Sequence, residues 1–117
     1  MSARTATTAN ESIVLDLVYA INAENFFEAA RLLTDDFSFV GVLGTRDGAT
    51  AYVDDLKRMK IKYKIHKVLA SDNDVCVLCD YTLQGKNLLG CNWYTIEQGK
   101  VSSLKAVFDP RPLLEKP

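Results

Sequence analysis

The segment Val75–Ile96, VCVLCDYTLQGKNLLGCNWYTI, is the most informative stretch of the chain, because its two apolar halves flank a central Gly-Lys-Asn. Side chains that alternate with a period of two are typical of β-strands, and a short polar Gly/Asn segment between two such runs marks a tight turn. We therefore predict a β-hairpin with a two-residue turn at residues 86–87. That turn would place Tyr81 opposite Asn92 on one face of the sheet.

The same hairpin contains all three cysteines of the chain, two of them spaced as C-x-x-C. On a strand, residues three apart point to opposite faces, so Cys76 and Cys79 are not expected to share one metal ion. A redox-active C-x-x-C usually begins a helix, whereas this one lies within an apolar strand. We therefore predict no metal site and interpret the cysteines as small hydrophobic residues, with Cys79 opposite Tyr94.

The segments outside the hairpin show helical spacing before it and further alternation around it. We assign helices where apolar residues recur at helical intervals and strands where they alternate with a period of two. Pro and Gly residues mark the ends of these elements. The predicted helices are residues 12–22, 26–33 and a third one capped by Asp47 that ends near Met59; the predicted strands are residues 36–41, 61–71, 75–84, 88–96 and 101–108, with a loop at 44–48. Helices segregated from an antiparallel sheet indicate the α+β class.

Composition restricts the class of protein further. The chain has 117 residues, 48% of them hydrophobic, which suits one domain with a single core. We predict a disordered polar tail at residues 1–10 and one domain over residues 11–117. A net charge of -1 and apolar runs well below the roughly 20 residues of a membrane span argue against nucleic-acid and membrane partners. The odd cysteine count and the polar N-terminus predict a cytoplasmic protein.

Three segments carry a resemblance that extends over about residues 11–114. They are YAINAENFFEAARLLTDDFSFVG, GTRDGATAYVDDL and GKVSSLKAVFDPRPLL. In this order they resemble the nuclear-transport-factor-2-like superfamily, which includes SnoaL-like cyclases, ketosteroid isomerases and limonene-epoxide hydrolases. The resemblance implies a cone-shaped roll, in which a curved, mostly antiparallel sheet wraps around three N-terminal helices. It also implies an apolar pocket at the open end and a homodimer through the sheet.

The resemblance further implies which residues face the pocket. Tyr81 and Asn92 are the candidate catalytic residues, as hydrogen-bond donors to a ligand carbonyl. The alternative is that Tyr81 and Asn92 satisfy each other locally inside the core. The candidate ligand-binding residues share the inner face with this pair and are Phe37, Phe39, Cys79, Tyr94, Leu104 and Phe108, with Val77 and Ala106 beside them.

The roles that are known for ketosteroid isomerase transfer poorly to this sequence. The general base falls at about Gly41, where there is no carboxylate, and the tyrosine donor falls near Leu17, with Tyr19 on another side of the helix. The protonated aspartate falls at about Asn92, whose amide can still donate. We therefore predict a domain that binds a small apolar molecule without a cofactor. The alternative is a metal-independent isomerase, cyclase or dehydratase, and the sequence leaves open whether the chain is an enzyme.

The remaining distinctive residues are expected to point outward. His66 shares its face with Lys62 and Lys64, which indicates a solvated or interface residue. Trp93 has outward parity, which we interpret as the centre of the homodimer face. Arg46 lies beside the Gly-containing loop and is a candidate for the pocket mouth.

Overall fold

Residues 3–114, the part of the chain that the computed structural model describes, form four helices and six strands. The helices are α1 (Ala3–Asn22), α2 (Phe26–Arg31), α3 (Ala49–Met59) and α4 (Arg111–Leu114). The strands are β1 (Leu33–Gly41), β2 (Gly44–Asp47), β3 (Lys62–Ser71), β4 (Asp74–Leu83), β5 (Lys86–Glu97) and β6 (Lys100–Phe108). The predicted α+β class is confirmed. No helix within these residues combines the length and the apolarity needed to cross a membrane.

The strands form one curved sheet in the order β2-β1-β6-β5-β4-β3. Only the β1–β6 pair is parallel, so the sheet is mostly antiparallel, as predicted. Every second residue of β4 and β5 is buried, which identifies one inner face. The helices pack on that face, and their apolar side chains complete the core. The inner face and α1 together bury a core that includes Val14, Leu17, Val18, Ile21, Val75, Val77, Tyr94 and Leu104.

Helix α1 begins much earlier than the sequence pattern indicated. Residues 1–10 were predicted as a disordered tail, but the backbone is helical from Ala3, while residues 1 and 2 lie outside the described part. The prediction relied on apolar periodicity, which reports where a helix packs and not where it begins. The first residues of α1 contain no Gly or Pro that would stop a helix.

The central hairpin forms as predicted, but its turn lies elsewhere. Leu83 pairs with Lys86, so the turn residues are Gln84 and Gly85, with φ of 53° and 75°. A two-residue turn with both φ values positive favours Gly at its second position, and this requirement overrides the Lys-Asn pair. Because the register differs by an even number of residues, every side chain keeps its predicted face. Tyr81 is therefore opposite Leu88, and Val77 is opposite Asn92.

The predicted loop at residues 44–48 is also wrong, because Gly44–Asp47 is the edge strand β2. All four of its residues are exposed, so no alternation in the sequence could reveal it. The N-cap of α3 is Gly48, and no side chain caps the helix there. The prediction that Asp47 caps this helix is therefore wrong. The chain also adds α4 after Pro110, and this short helix places Leu113 against the core.

The cysteines lie on the two faces of the sheet. Cys79 is buried on the inner face, while Cys76 and Cys91 are half-buried on the outer one, and all three are unpaired. Burial raises the pKa of the Cys79 thiol to about 12. Cys79 is therefore a protonated, unreactive core residue, as its place in an apolar strand suggests.

Candidate functional site

A cavity of about 410 Å³ opens between α3, the β1–β2 hairpin and the inner face of the sheet. Its inner wall comes from β3 to β6, and α4 contributes one side chain at the rim. The lining residues are Phe39, Gly41, Val42, Leu43, Gly44, Thr45, Arg46, Tyr52, Asp55, Leu56, Arg58, Met59, Ile61, Tyr63, Tyr81, Leu83, Asn92, Ala106, Phe108 and Leu113.

The inner end of the cavity carries a buried hydrogen-bond network centred on Asn92. The hydroxyl of Tyr81 donates to Asn92 Oδ1 at 2.5 Å, and Asn92 Nδ2 donates to the Tyr94 hydroxyl at 3.0 Å. Asn92 is only 1% exposed, so these partners take the place of water. Of the two alternatives that the sequence left open, this arrangement is the local one: the Tyr81 hydroxyl donates its hydrogen bond to Asn92 and not to a ligand.

Gly90 explains how the Tyr81 side chain reaches Asn92. The Tyr81 ring lies over Gly90, and a Cβ atom at Gly90 would come within 2.5 Å of the ring. The edge of the ring packs against Tyr63 and Phe108, with centroid separations of 5.5 and 5.3 Å. The absence of a side chain at Gly90 therefore creates the groove in which Tyr81 lies across the strand.

The tyrosines at the inner end remain protonated over the physiological pH range. Burial raises the pKa of Tyr81 and of Tyr63, and it raises those of Tyr52 and Tyr94 well above their usual value. Hydrogen bonds from Tyr52 and Asn92 offset part of this effect at Tyr63. The inner end therefore presents neutral phenols that can donate or accept hydrogen bonds, and no phenolate that could act as a base.

The mouth of the cavity is charged. Arg46 of β2 donates two hydrogen bonds to Asp55 of α3, from Nε to Oδ2 at 2.7 Å and from Nη2 to Oδ1 at 2.8 Å. Arg58, one turn further along α3, also contacts Asp55 Oδ1. The hydrogen bond from Arg46 is the main reason why the pKa of Asp55 is lowered. The ion pair joins the β1–β2 hairpin to α3 at the mouth of the cavity.

We expect Asp55→Asn to lower the free energy of unfolding by about 1 kcal/mol at pH 7. A carboxyl whose folded pKa is depressed adds stability above its unfolded pKa, here 3.8, and that stability is lost as the pH falls through the folded value. The difference from the wild type should therefore shrink as the pH falls below 3.8. Urea denaturation at a series of decreasing pH values checks this. Asp54→Asn is the control, because Asp54 is exposed and lies 4.0 Å from Lys57; an equal loss there would contradict the role of Asp55.

The inner face of the sheet was predicted correctly, but only part of that face lines the cavity. Among the predicted site residues, Tyr81, Asn92, Phe39 and Phe108 line it. The other predicted residues on this face are core residues that do not line the cavity, namely Phe37, Cys79, Tyr94 and Leu104. The roles assigned to these residues stay predictions.

The sequence interpretation missed two phenols and Asp55, whereas Arg46, which was expected at the pocket mouth, does line the cavity. Tyr63 follows the alternation of β3 and lies on the apolar side, and Tyr52 lies on the apolar side of α3, where it stacks on Phe39 at 5.4 Å. Both residues fit the apolar pattern of their elements, which does not distinguish a cavity wall from the core. The Arg46–Asp55 contact had no signal in the sequence, because it depends on the unpredicted strand β2.

The positions that correspond to the general base and the tyrosine donor of ketosteroid isomerase lie in different parts of the structure. Gly41 lines the cavity and provides no carboxylate, as the sequence indicated. Leu17 is buried in the core, and Tyr19 is 59% exposed on α1. Tyr19 is therefore not the donor of this site.

The outward residues have the predicted orientation. His66 is the extra residue of a bulge in β3, and its Nε2 atom lies 3.0 Å from Asp80 Oδ2 on the outer face. The indole of Trp93 donates to Asp74 at 3.0 Å, and the ammonium of Lys105 lies 4.7 Å from the Trp93 ring centre. Neither His66 nor Trp93 lines the cavity.

Comparison with known proteins agrees with the fold. A family model described as SnoaL-like domain matches residues 14–104. The crystal structure of an NTF2-like protein of unknown function from Cytophaga hutchinsonii is 40% identical, with a TM-score of 0.90 over 91% of this chain and 95% of that one. No curated protein matches the chain.

More distant structures share the fold alone. An LEH-like epoxide hydrolase from M. tuberculosis is 20% identical, with a TM-score of 0.84 over 93% of this chain and 89% of that one. A Kribbella flavida protein, provisionally designated a ketosteroid isomerase, is 17% identical, with a TM-score of 0.81 over 95% and 91%. At these identities, the same fold accommodates different chemistry.

Proposed function

Because the chain belongs to the SnoaL-like family of nuclear-transport-factor-2-like proteins, we propose that it binds a small apolar molecule in the cavity between α3 and the sheet. The cavity carries this proposal. Its volume of about 410 Å³ lies within the range of roughly 300–1,000 Å³ that is typical of small-molecule sites. Its walls are mostly aliphatic and aromatic, with phenols and one amide at the inner end. Such a surface suits an apolar body that carries one or two polar groups.

The charges and protonation of the cavity support binding more than catalysis. A general base works best with a pKa near the working pH. Among the described lining residues, the only carboxylate is Asp55, which two arginines hold at the mouth. The phenols have raised pKa values and remain neutral. We therefore favour a binding domain over an enzyme.

We expect the neutral dye N-phenyl-1-naphthylamine to bind the cavity and to fluoresce more strongly there. Ala106→Phe should weaken this binding at least about tenfold, because Ala106 lines the cavity and a phenyl ring would occupy it. Fluorescence titration measures the affinity, and a melting curve verifies that the variant folds.

Ala23→Phe is the matched control, since it adds the same ring at an exposed position at the end of α1 that does not line the cavity. It should leave the dye affinity unchanged. If both variants bind the dye like the wild type, the dye occupies another surface and the cavity proposal is wrong. The same holds if the wild type does not bind the dye at all.

Acid–base catalysis is the second candidate, because Tyr81 and Asn92 place a short hydrogen bond directly at the cavity wall. As donors, this pair would polarise a ligand carbonyl. A carbonyl would first have to displace Tyr81 from Asn92, since that phenol already donates to the amide. Turnover of an enolisable ketone that Tyr81→Phe abolishes, with dye binding intact, would favour this candidate over simple binding.

We also propose a homodimer through the outer face of the sheet around Trp93. Exposed apolar residues collect there: Leu89 is 68%, Val107 63%, Leu69 50% and Trp93 42% exposed. Val107, Cys91 and Leu78 are cross-strand neighbours, so the apolar surface is continuous over β6, β5 and β4. Contiguous exposed apolar surface on a sheet is characteristic of interfaces.

We expect native mass spectrometry to show a particle of twice 13.0 kDa for the wild type. Val107→Glu should give a monomer, because the buried carboxylate would have no partner in the interface. Phe27→Glu changes a side chain that is 82% exposed on α2, away from the sheet, and should remain dimeric. A monomeric wild type would overturn the dimer proposal.

The cytoplasm is the proposed compartment, because Cys76, Cys79 and Cys91 are unpaired and free thiols persist under reducing conditions. Fractionation of cells that express the tagged chain tests this. Recovery outside the cytoplasmic fraction would contradict it.

A further inference from the structure

The mouth of the cavity carries a net positive charge, because it has one more arginine than the Arg46–Asp55 ion pair contains. Arg46 and Arg58 both line the cavity, and Asp55 between them is the only anion among the described lining residues. Two guanidinium groups against one carboxylate leave an excess of one positive charge. Asp54 does not line the cavity and lies beside Lys57.

Both guanidinium groups keep hydrogen-bond donors that Asp55 does not use. A guanidinium has five N–H groups in a planar fork that matches a carboxylate or a sulfonate. Arg46 directs Nε and Nη2 to Asp55, and Arg58 directs Nη2 there. The Nη1 group of each arginine is therefore not used by Asp55. Asp55 holds the two forks at one side of the opening, where a second anion can bind.

The lining of the cavity changes from neutral polar groups at the inner end, through apolar walls, to positive charge at the mouth. The inner end has neutral phenols and an amide, the walls are apolar, and both cations lie at the mouth. Exposed apolar side chains also flank the arginines there, since Leu43 is 58% and Met59 41% exposed. A free inorganic anion would gain nothing from these apolar neighbours. A molecule with an apolar body and a terminal anionic group would contact every part of this surface.

We propose that the ligand class is an anionic amphiphile, whose carboxylate or similar group binds Arg46 and Arg58 while its apolar body fills the cavity. The inference rests on the proposed binding function and adds the chemical class of the ligand. Arg46 also joins β2 to α3, so its replacement would disturb the mouth itself. Arg58 lies on the same helix as Asp55, and its side chain is 68% exposed, so it is not needed for that connection. Arg58 is therefore the residue to test.

Two dyes that differ by one sulfonate provide the experiment. N-phenyl-1-naphthylamine is neutral, and 1-anilinonaphthalene-8-sulfonate is the same molecule with an anionic group. We expect the wild type to bind the sulfonate about fivefold more tightly than the neutral dye at low salt, and this preference should shrink as the ionic strength rises. Arg58→Gln should reduce the preference, measured as the ratio of the two dye affinities in the same variant, to less than about twofold.

Lys57→Gln is the matched control, because it removes one positive charge from the same helix at a residue that does not line the cavity. It should keep the preference for the sulfonate. Equal affinities of the wild type for the two dyes, or an unchanged preference in Arg58→Gln, would overturn the inference and leave the cavity proposal intact. If neither dye binds, or if Ala106→Phe leaves both affinities unchanged, the cavity proposal fails and the inference fails with it.

Discussion

Gly90→Ala is expected to lower the free energy of unfolding by about 2 kcal/mol, although it adds a single methyl group. The new Cβ would lie 2.5 Å from Cζ and 2.7 Å from the hydroxyl oxygen of Tyr81. The Tyr81 ring cannot move cheaply, because it packs between Tyr63 and Phe108 and donates a hydrogen bond to Asn92. Urea denaturation of both proteins gives the difference in stability.

The expected loss of stability is opposite in sign to the usual effect of a Gly→Ala substitution in a strand. In a strand, alanine is normally more favourable than glycine, so a loss would come from the contact with Tyr81. Gly41→Ala is the matched control: its Cβ would lie 2.8 Å from the ring of Phe39, which is only half-buried at the cavity wall and can rotate. We expect Gly41→Ala to cost less than about 1 kcal/mol.

A double-mutant cycle with Tyr81→Ala separates the ring contact from other causes. In that background the ring is absent, so Gly90→Ala should cost little or should stabilise the protein. A loss of the same size with and without Tyr81 would show that the ring does not lie over Gly90 as described. The cycle thus tests the feature that brings Tyr81 to the cavity.

The faces of the strands were predictable from the sequence, whereas the register was not. Alternation identifies the face of Tyr81 and Asn92 without any knowledge of their cross-strand partners. The turn depends on backbone φ values, and the positive φ of Gln84 and Gly85 has only a weak signal in a segment that also contains Lys86-Asn87. The pairing predicted between Tyr81 and Asn92 therefore had the wrong register, but the long Tyr81 side chain still reaches the amide.

The candidate site was predictable only where it coincides with the inner face of the sheet. Phe39 and Phe108 follow from alternation, and Arg46 was expected only from its place beside the Gly-containing loop, but Tyr52 and Asp55 come from α3. Whether a side chain on the inner face lines a cavity or fills the core depends on how far α3 stands from the sheet. Distances between elements are a property of packing, so no local pattern separates Tyr81, which lines the cavity, from Cys79, which does not.

Asn92→Leu is expected to lower the free energy of unfolding by roughly 3 kcal/mol. Leucine has the same number and branching of side-chain heavy atoms as asparagine and a somewhat larger volume, so the loss would not come from an empty space. It would come from the Tyr81 hydroxyl, which loses its acceptor, and from the Tyr94 hydroxyl, which loses its donor, both in a buried environment. Tyr81→Phe, which leaves only one polar atom of Asn92 unpaired, should cost about 1 kcal/mol. Urea denaturation of the three proteins measures both differences.

The combination of the two substitutions tests whether unpaired polar groups are the cause. If they are, Asn92→Leu should cost less in the Tyr81→Phe background than in the wild type, because one orphaned hydroxyl has been removed. Equal costs in both backgrounds would assign the loss to packing around Asn92 instead. A double variant that recovers stability but no longer binds the neutral dye would separate the two roles of the network. The polar groups at the inner end would then contribute to ligand binding more than to folding.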